Sequence, residues 1–244
     1  MTRVFRTLFG LLVVTQLFYG KVARLRTPAG TKAIVALLLG ASSAEAVAAR
    51  GPKRGMALVG SAAALGFAAE LAGVATGKPF GHYTYSSLLG RKVGGVPLAA
   101  AAAWSMMARP AWVVAGLISR RRAARVALAA GALTAWDVFL DPRMAREGYW
   151  TWPRGGRYEG IPASNFLGWF ATGAGVFAVW SLIDDDDPAA DGNGDGALAL
   201  YTWTWVGELV ANVFIWRRPR VAAAGGVAMG AFLVPALLAR RGRP

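Results

Sequence analysis

Hydrophobic residues run through this chain in long unbroken blocks, and the polar residues fall between them. Apolar stretches cover 4–20, 32–49, 55–77, 96–118, 124–141, 163–183, 197–216 and 221–239. Each is close to the roughly 20 residues that a helix needs to cross the hydrocarbon core. The alternation expected of a membrane barrel is absent. The pattern predicts an all-α, polytopic transmembrane bundle of about eight helices, seven being the alternative count, with no soluble domain. Pro110 is expected to kink the fourth block, and Pro142 to stop the fifth. Arg3 and Arg6 ahead of the first block resemble the start of a signal peptide. No clean small-x-small site follows, so a retained helix is expected.

Composition sharpens the picture. The 244 residues are 55% hydrophobic, with a net charge of +14 and a mean hydropathy of +0.41. The length suits one membrane domain over 1–244. The basic residues sit between apolar blocks, as juxtamembrane charge facing lipid headgroups does, and the expected partners are membrane lipids and not nucleic acid. Lys and Arg are spread almost evenly over the two sides, so the positive-inside rule sets no orientation. Multi-pass residence in the cell membrane follows as the expected location; the oligomeric state is left open. With no cysteine and one histidine, the chain has no thiolate site and no histidine cluster, so neither metal nor cofactor is expected. Asp191, Asn193, Asp195 and Gly196 match the opening of a calcium loop, but Thr202 stands where its closing glutamate belongs, and a solvated loop is the expectation.

The chemistry gathers in two polar-aromatic stretches, 78–97 and 136–169. With eight spans, both connecting loops lie on one side of the membrane. Glu70 then sits about 10 Å below that side, at 1.5 Å per residue. Asp137 and Asp141, four apart, share a helical face, with Asp137 about 6 Å deeper. Glu208 is expected in the same half of the bundle, and Glu45 at the opposite side, with its carboxylate snorkelling to water. Tyr83, Tyr85, Trp150 and Trp152 would form a lid. Ionisable groups at membrane depth are functional candidates; the alternative is that each pairs with an arginine such as Arg143 or Arg154 and pins two helices. His82 reads as a hydrogen-bonding loop residue.

Three pieces carry a family resemblance across about 70–169. The first is Pro79-Phe80-Gly81-His82-Tyr83-Thr84-Tyr85 with Gly94-Gly95-Val96-Pro97 and Trp104. The second is Trp136-Asp137-Val138-Phe139-Leu140-Asp141-Pro142. The third is Gly148-Tyr149-Trp150-Thr151-Trp152, with Tyr158-Glu159-Gly160-Ile161-Pro162 and Asn165-Phe166-Leu167-Gly168-Trp169. Their order resembles the carotenoid biosynthesis hydratases of the CruF type. The resemblance implies a cofactor-free integral membrane enzyme that adds water to the terminal isopropylidene bond of an acyclic C40 or C50 carotenoid taken from the bilayer. It implies no residue roles. On physical grounds Asp137 is the expected acid and Asp141 or Glu70 the base. Tyr83, Tyr85, His82, Trp150, Trp152, Asn165 and Glu208 are expected around the substrate. A cyclase or isomerase would begin with the same protonation, and a transporter or lipid-binding scaffold would also place carboxylates in the membrane.

Overall fold

A computed structural model describes residues 2–184 and 194–242. It is a bundle of eight long helices: α1 (Arg3–Lys21), α2 (Pro28–Arg50), α3 (Pro52–Thr76), α4 (Leu98–Ile118), α5 (Arg122–Arg146), α6 (Ala163–Ile183), α7 (Asp195–Val210) and α8 (Pro219–Arg241). Seven of them, α2 to α8, are long and apolar enough to cross a membrane, α7 when counted with the π-helical turn Ala211–Ile215 that continues it. The expectation of about eight spans is thus seven by this measure: α1, which carries Arg3, Arg6 and Lys21, falls short and packs along α2. Asp191 and Asn193 of the calcium-loop comparison lie outside the described residues.

Local signals account for the helix ends. Thr27 caps α2 by accepting from the Gly30 amide at 3.2 Å, which satisfies an otherwise orphaned donor. Prolines open α2, α3 and α8 at their first positions, where a missing N–H costs nothing. Gly77 closes α3 at φ 76°, in the left-handed region that glycine adopts without penalty.

One boundary differs from the sequence pattern. α5 does not stop at Pro142 but runs one turn further, to Arg146. Proline removes the hydrogen bond to the carbonyl four residues back, here that of Val138. The Tyr158 hydroxyl donates to that carbonyl at 2.9 Å. Arg218 donates to the Pro142 carbonyl at 3.0 Å. Partners from elsewhere in the bundle thus satisfy the backbone and let the helix continue.

The two polar stretches meet. β1 (Thr84–Tyr85) pairs antiparallel with β4 (Trp150–Thr151), Thr84 opposite Thr151 and Tyr85 opposite Trp150. A second ladder, β2 (Lys92–Val93) with β3 (Val96–Pro97), is a hairpin leading into α4. The loops after α3 and α5 therefore share one end of the bundle and are bonded to each other.

Candidate functional site

The site grows from one face of α3. Gly66, Glu70 and Gly73 recur at helical spacing, so they stack on one side. A Cβ on Gly66 would stand 2.1 Å from the Trp104 ring, and one on Gly73 would stand 2.7 Å from Phe80 and 2.9 Å from the Tyr83 hydroxyl. The two glycines make room for aromatic rings above and below Glu70. Those rings carry the donors it needs. Trp104 Nε1 donates to Glu70 Oε1 at 3.0 Å. Tyr85 donates to Oε2 at 2.9 Å, and Tyr83 donates to the same oxygen.

Asp141 and Asp137 occupy one face of α5, as their spacing requires. Trp150 Nε1 donates to Asp141 Oδ1 at 3.1 Å. The Asn165 amide, from the first turn of α6, bridges the pair: it donates to Asp137 Oδ2 at 2.9 Å and also to Asp141 Oδ2. Asp137 is completely buried, and its Oδ1 has no partner. No ion pair reaches Glu70, Asp137 or Asp141 among the described residues; their donors are phenols, indoles and one amide, and the two aspartates also bond to each other. The arginine-pairing alternative does not apply to these three.

Between the two carboxyl groups lies a cavity with about 50 Å³ open to the centre of a water-sized sphere. At ~10–15 Å³ per water in this measure, it holds a few waters or a small apolar end group, not a polyene. Glu70, Asp141, Asn165, Tyr83, Tyr85, Trp150 and Trp152 all line it. Asp137 does not; it is bonded to Asn165, which does. No Lys or Arg lines it either. Half-buried Val35, Ala99, Ala103 and Leu140 make an apolar margin on α2, α4 and α5.

Aromatic rings run continuously along the wall. Trp136 meets Trp169 edge to face at 6.1 Å, and Trp169 stacks on Trp104 at 4.0 Å. Phe80 follows, then Tyr83, Tyr85 and Trp150, with Trp152 against Tyr83 at 5.9 Å. In the loop, burial pushes the Tyr83 phenol far above its usual range, and the Glu70 charge pushes it further. Burial and then Glu70 do the same to Tyr85. Both stay protonated and serve as donors. Trp104, Phe80 and Trp169 are not among the expected site residues, although the resemblance pieces contain all three; the glycine spacing around Glu70 is a signal for Trp104 and Phe80.

Three sequence expectations are placed elsewhere. His82 is exposed, its ring over Gly77, and takes no part in the cavity. Glu208 faces a different cavity, with Arg143 and Trp216; its depth along α7 is shared with the site, but its direction around the helix is not. Glu45 does not snorkel. It is buried and bound by Arg109, Nε to Oε2 at 2.8 Å. Arg109 also reaches Asp184 at 3.4 Å, and Asp184 takes further bonds from Trp112 at 2.8 Å and from Arg50. Among the described residues no three or more His, Asp or Glu side chains converge as a metal site would require.

Residues 30–233 match the family model of the carotenoid biosynthesis proteins. This chain belongs to that family. It is 30% identical over 127 residues to the bisanhydrobacterioruberin hydratase of Haloarcula japonica, a match that takes in 50% of this chain and 43% of that protein. No solved structure matches the chain. Family and fold together describe a carotenoid-modifying, multi-pass membrane protein.

Proposed function

We propose that this carotenoid biosynthesis protein adds water across the terminal isopropylidene bond of an acyclic carotenoid, giving a tertiary alcohol, by acid catalysis and without a cofactor. The observation that supports this is the small aromatic cavity walled by Glu70 and Asp141, with no cation beside either. The hydratase named among its relatives supports the same reaction class.

Asp141 enters the reaction protonated and delivers its proton to the less substituted alkene carbon. The tertiary cation so formed lies among indole and phenol faces, which attract positive charge. Glu70, whose oxygens are held by three neutral donors, acts as fixed negative charge opposite the cation; preorganised charge of this kind is usually the largest catalytic contribution. A water held in the same cavity attacks the cation. The Asp141 carboxylate takes the proton that this water loses, which restores the starting state. Asn165 orients Asp141, and Asp137 orients Asn165. The polyene stays outside, along the apolar margin facing the bilayer.

The test is turnover by purified protein without oxygen, in water labelled with heavy oxygen and deuterium. The expected product gains one labelled hydroxyl and one deuterium on the adjacent carbon. An absolute need for O₂, or an unlabelled hydroxyl, refutes the proposal. A product of unchanged mass would make the protein a cyclase or isomerase instead.

A further inference from the structure

The reaction proposed above consumes one water per turnover, and the margin of the cavity toward the bilayer is apolar. The hydrocarbon core holds no water to supply it. Another side of the site is better placed. Across the loops from the cavity lies an open basin, with about 400 Å³ accessible to the centre of a water-sized sphere. It is polar where the cavity margin is not. Arg146 and Glu159, 3.9 Å apart, line it together with Thr151, and all three are exposed.

The β1–β4 ribbon forms the partition between basin and cavity. Successive residues of a strand point to opposite sides. Trp150 accordingly lines the cavity and Thr151 the basin. On the paired strand Tyr85 lines the cavity, and Thr84 is exposed beside Thr151, with 3.4 Å between the two hydroxyls. Where the ribbon is paired, the partition is bonded backbone. Trp152 lies just past the end of β4, and among the described residues it alone lines both spaces. There the partition is one side chain thick. The indole spends the one hydrogen bond it can donate on the Phe80 carbonyl, at 3.2 Å, and rests against Tyr83. The edge of the basin is strained: Glu159 sits at φ 50°, uncommon for a residue with a Cβ and recurrent at functional sites.

An open polar basin on one face of a single ring, and a site that needs water on the other, define a route. We infer that water enters the cavity from this basin past the Trp152 indole, while the carotenoid enters from the bilayer. Rotation of the side chain away from Phe80 opens the partition, and Trp152 so decides what the site admits from the loop side. That the water is a substrate rests on the hydratase reading; that the route exists does not.

The test uses the full chain in lipid nanodiscs and silver ion, a thiol reagent that is small, charged and excluded from hydrocarbon. The chain has no cysteine, so Ala100→Cys puts its one thiol in the buried wall of the cavity. Thiol remaining after each exposure is counted by maleimide labelling of the unfolded chain. With Trp152 in place the reaction should be slow. Trp152→Ala should speed it about ten-fold or more, equivalent to about 1.4 kcal/mol for opening the partition. Adding Thr151→Trp, a plug on the basin side, should slow it again. Trp152→Phe, which keeps a ring but loses the bond to Phe80, should fall between. As a check on folding, a separate Ala197→Cys, completely buried at the Glu45 end of the bundle, should stay unreactive in every background; if Trp152→Ala fails that check, Trp152→Phe decides. Equal silver rates with and without Trp152, or no slowing by Thr151→Trp, overturn the inference. A partition that opens in a chain that hydrates no carotenoid upholds the route and refutes the reaction. Turnover labelled from water, with silver rates indifferent to Trp152, upholds the reaction and refutes the route.

Discussion

Two ends of the same bundle bury carboxylates in opposite ways. At one end Glu45 and Asp184 are held by Arg109 and Arg50, with Trp112 completing the network. At the other, Glu70, Asp137 and Asp141 are held by tyrosines, tryptophans and one asparagine. A guanidinium cannot give up its charge, so the first cluster is locked as ion pairs. Neutral donors impose no such lock, and a carboxyl among them can pass a proton without stranding a cation. On the proposed reading, burial alone does not mark a reactive carboxylate; the kind of partner does.

The sharpest way to break this contrast is to remove the proposed proton donor. Asp141→Asn should lower carotenoid turnover by about 10²–10⁴, the usual worth of general acid-base catalysis, with little change in thermal unfolding. Asp137→Asn, which leaves the cavity wall intact, should lose less; an equal loss would return the donor's role to Asp137. Pigment mass analysis of variants in a carotenoid-producing host reads both.

At the ion-paired end the expected effect is on stability. Arg109→Met takes from buried Glu45 its Arg109 ion pair, leaving Asp184 with Arg50, and should cost about 3–5 kcal/mol, seen as early thermal unfolding or failure to accumulate. Should that variant prove stable but inactive, the division between the two ends is wrong. Next in size is Gly66→Ala. Its methyl group meets the Trp104 ring, and overpacking of this kind costs about 1–3 kcal/mol; displacement of Trp104 from Glu70 should also lower turnover.

The smallest effect concerns the loop phenols. Tyr83 and Tyr85 have folded values raised above the ordinary 10.0. Their contribution to stability is therefore fully present below about pH 10 and is lost only as pH rises through the raised folded values. Tyrosinate absorbance should show neither of them ionising near pH 10 in the native protein, so the parent and the Tyr83→Phe, Tyr85→Phe double variant should titrate alike until unfolding. Extra tyrosinate in the parent at pH 10 would count against their role as permanent donors to Glu70.

Much of this was legible in the residue pattern. Block lengths gave the spans, and the parity of those spans put the 78–97 and 136–169 stretches at one end. The four-residue spacing put Asp137 and Asp141 on one face. What failed was whatever depends on rotation about a helix axis or on a distant partner. Glu208 has the right depth but points toward α1. Arg109, inside an apolar block, is the unseen partner of Glu45. Asp137 is deeper than Asp141, and depth suggested the better-shielded acid; only packing shows that Asp141 lines the cavity while Asp137 does not.

Pro142 carries a consequence of its own. The turn of α5 beyond it holds Met144, at the cavity of the candidate site, and Arg143, at the cavity that Glu208 faces. That turn continues past the proline with the Tyr158 hydroxyl filling the vacancy at Val138. The two chambers therefore share a party wall whose footing is one phenol and one guanidinium. A change at either footing is felt in both chambers at once.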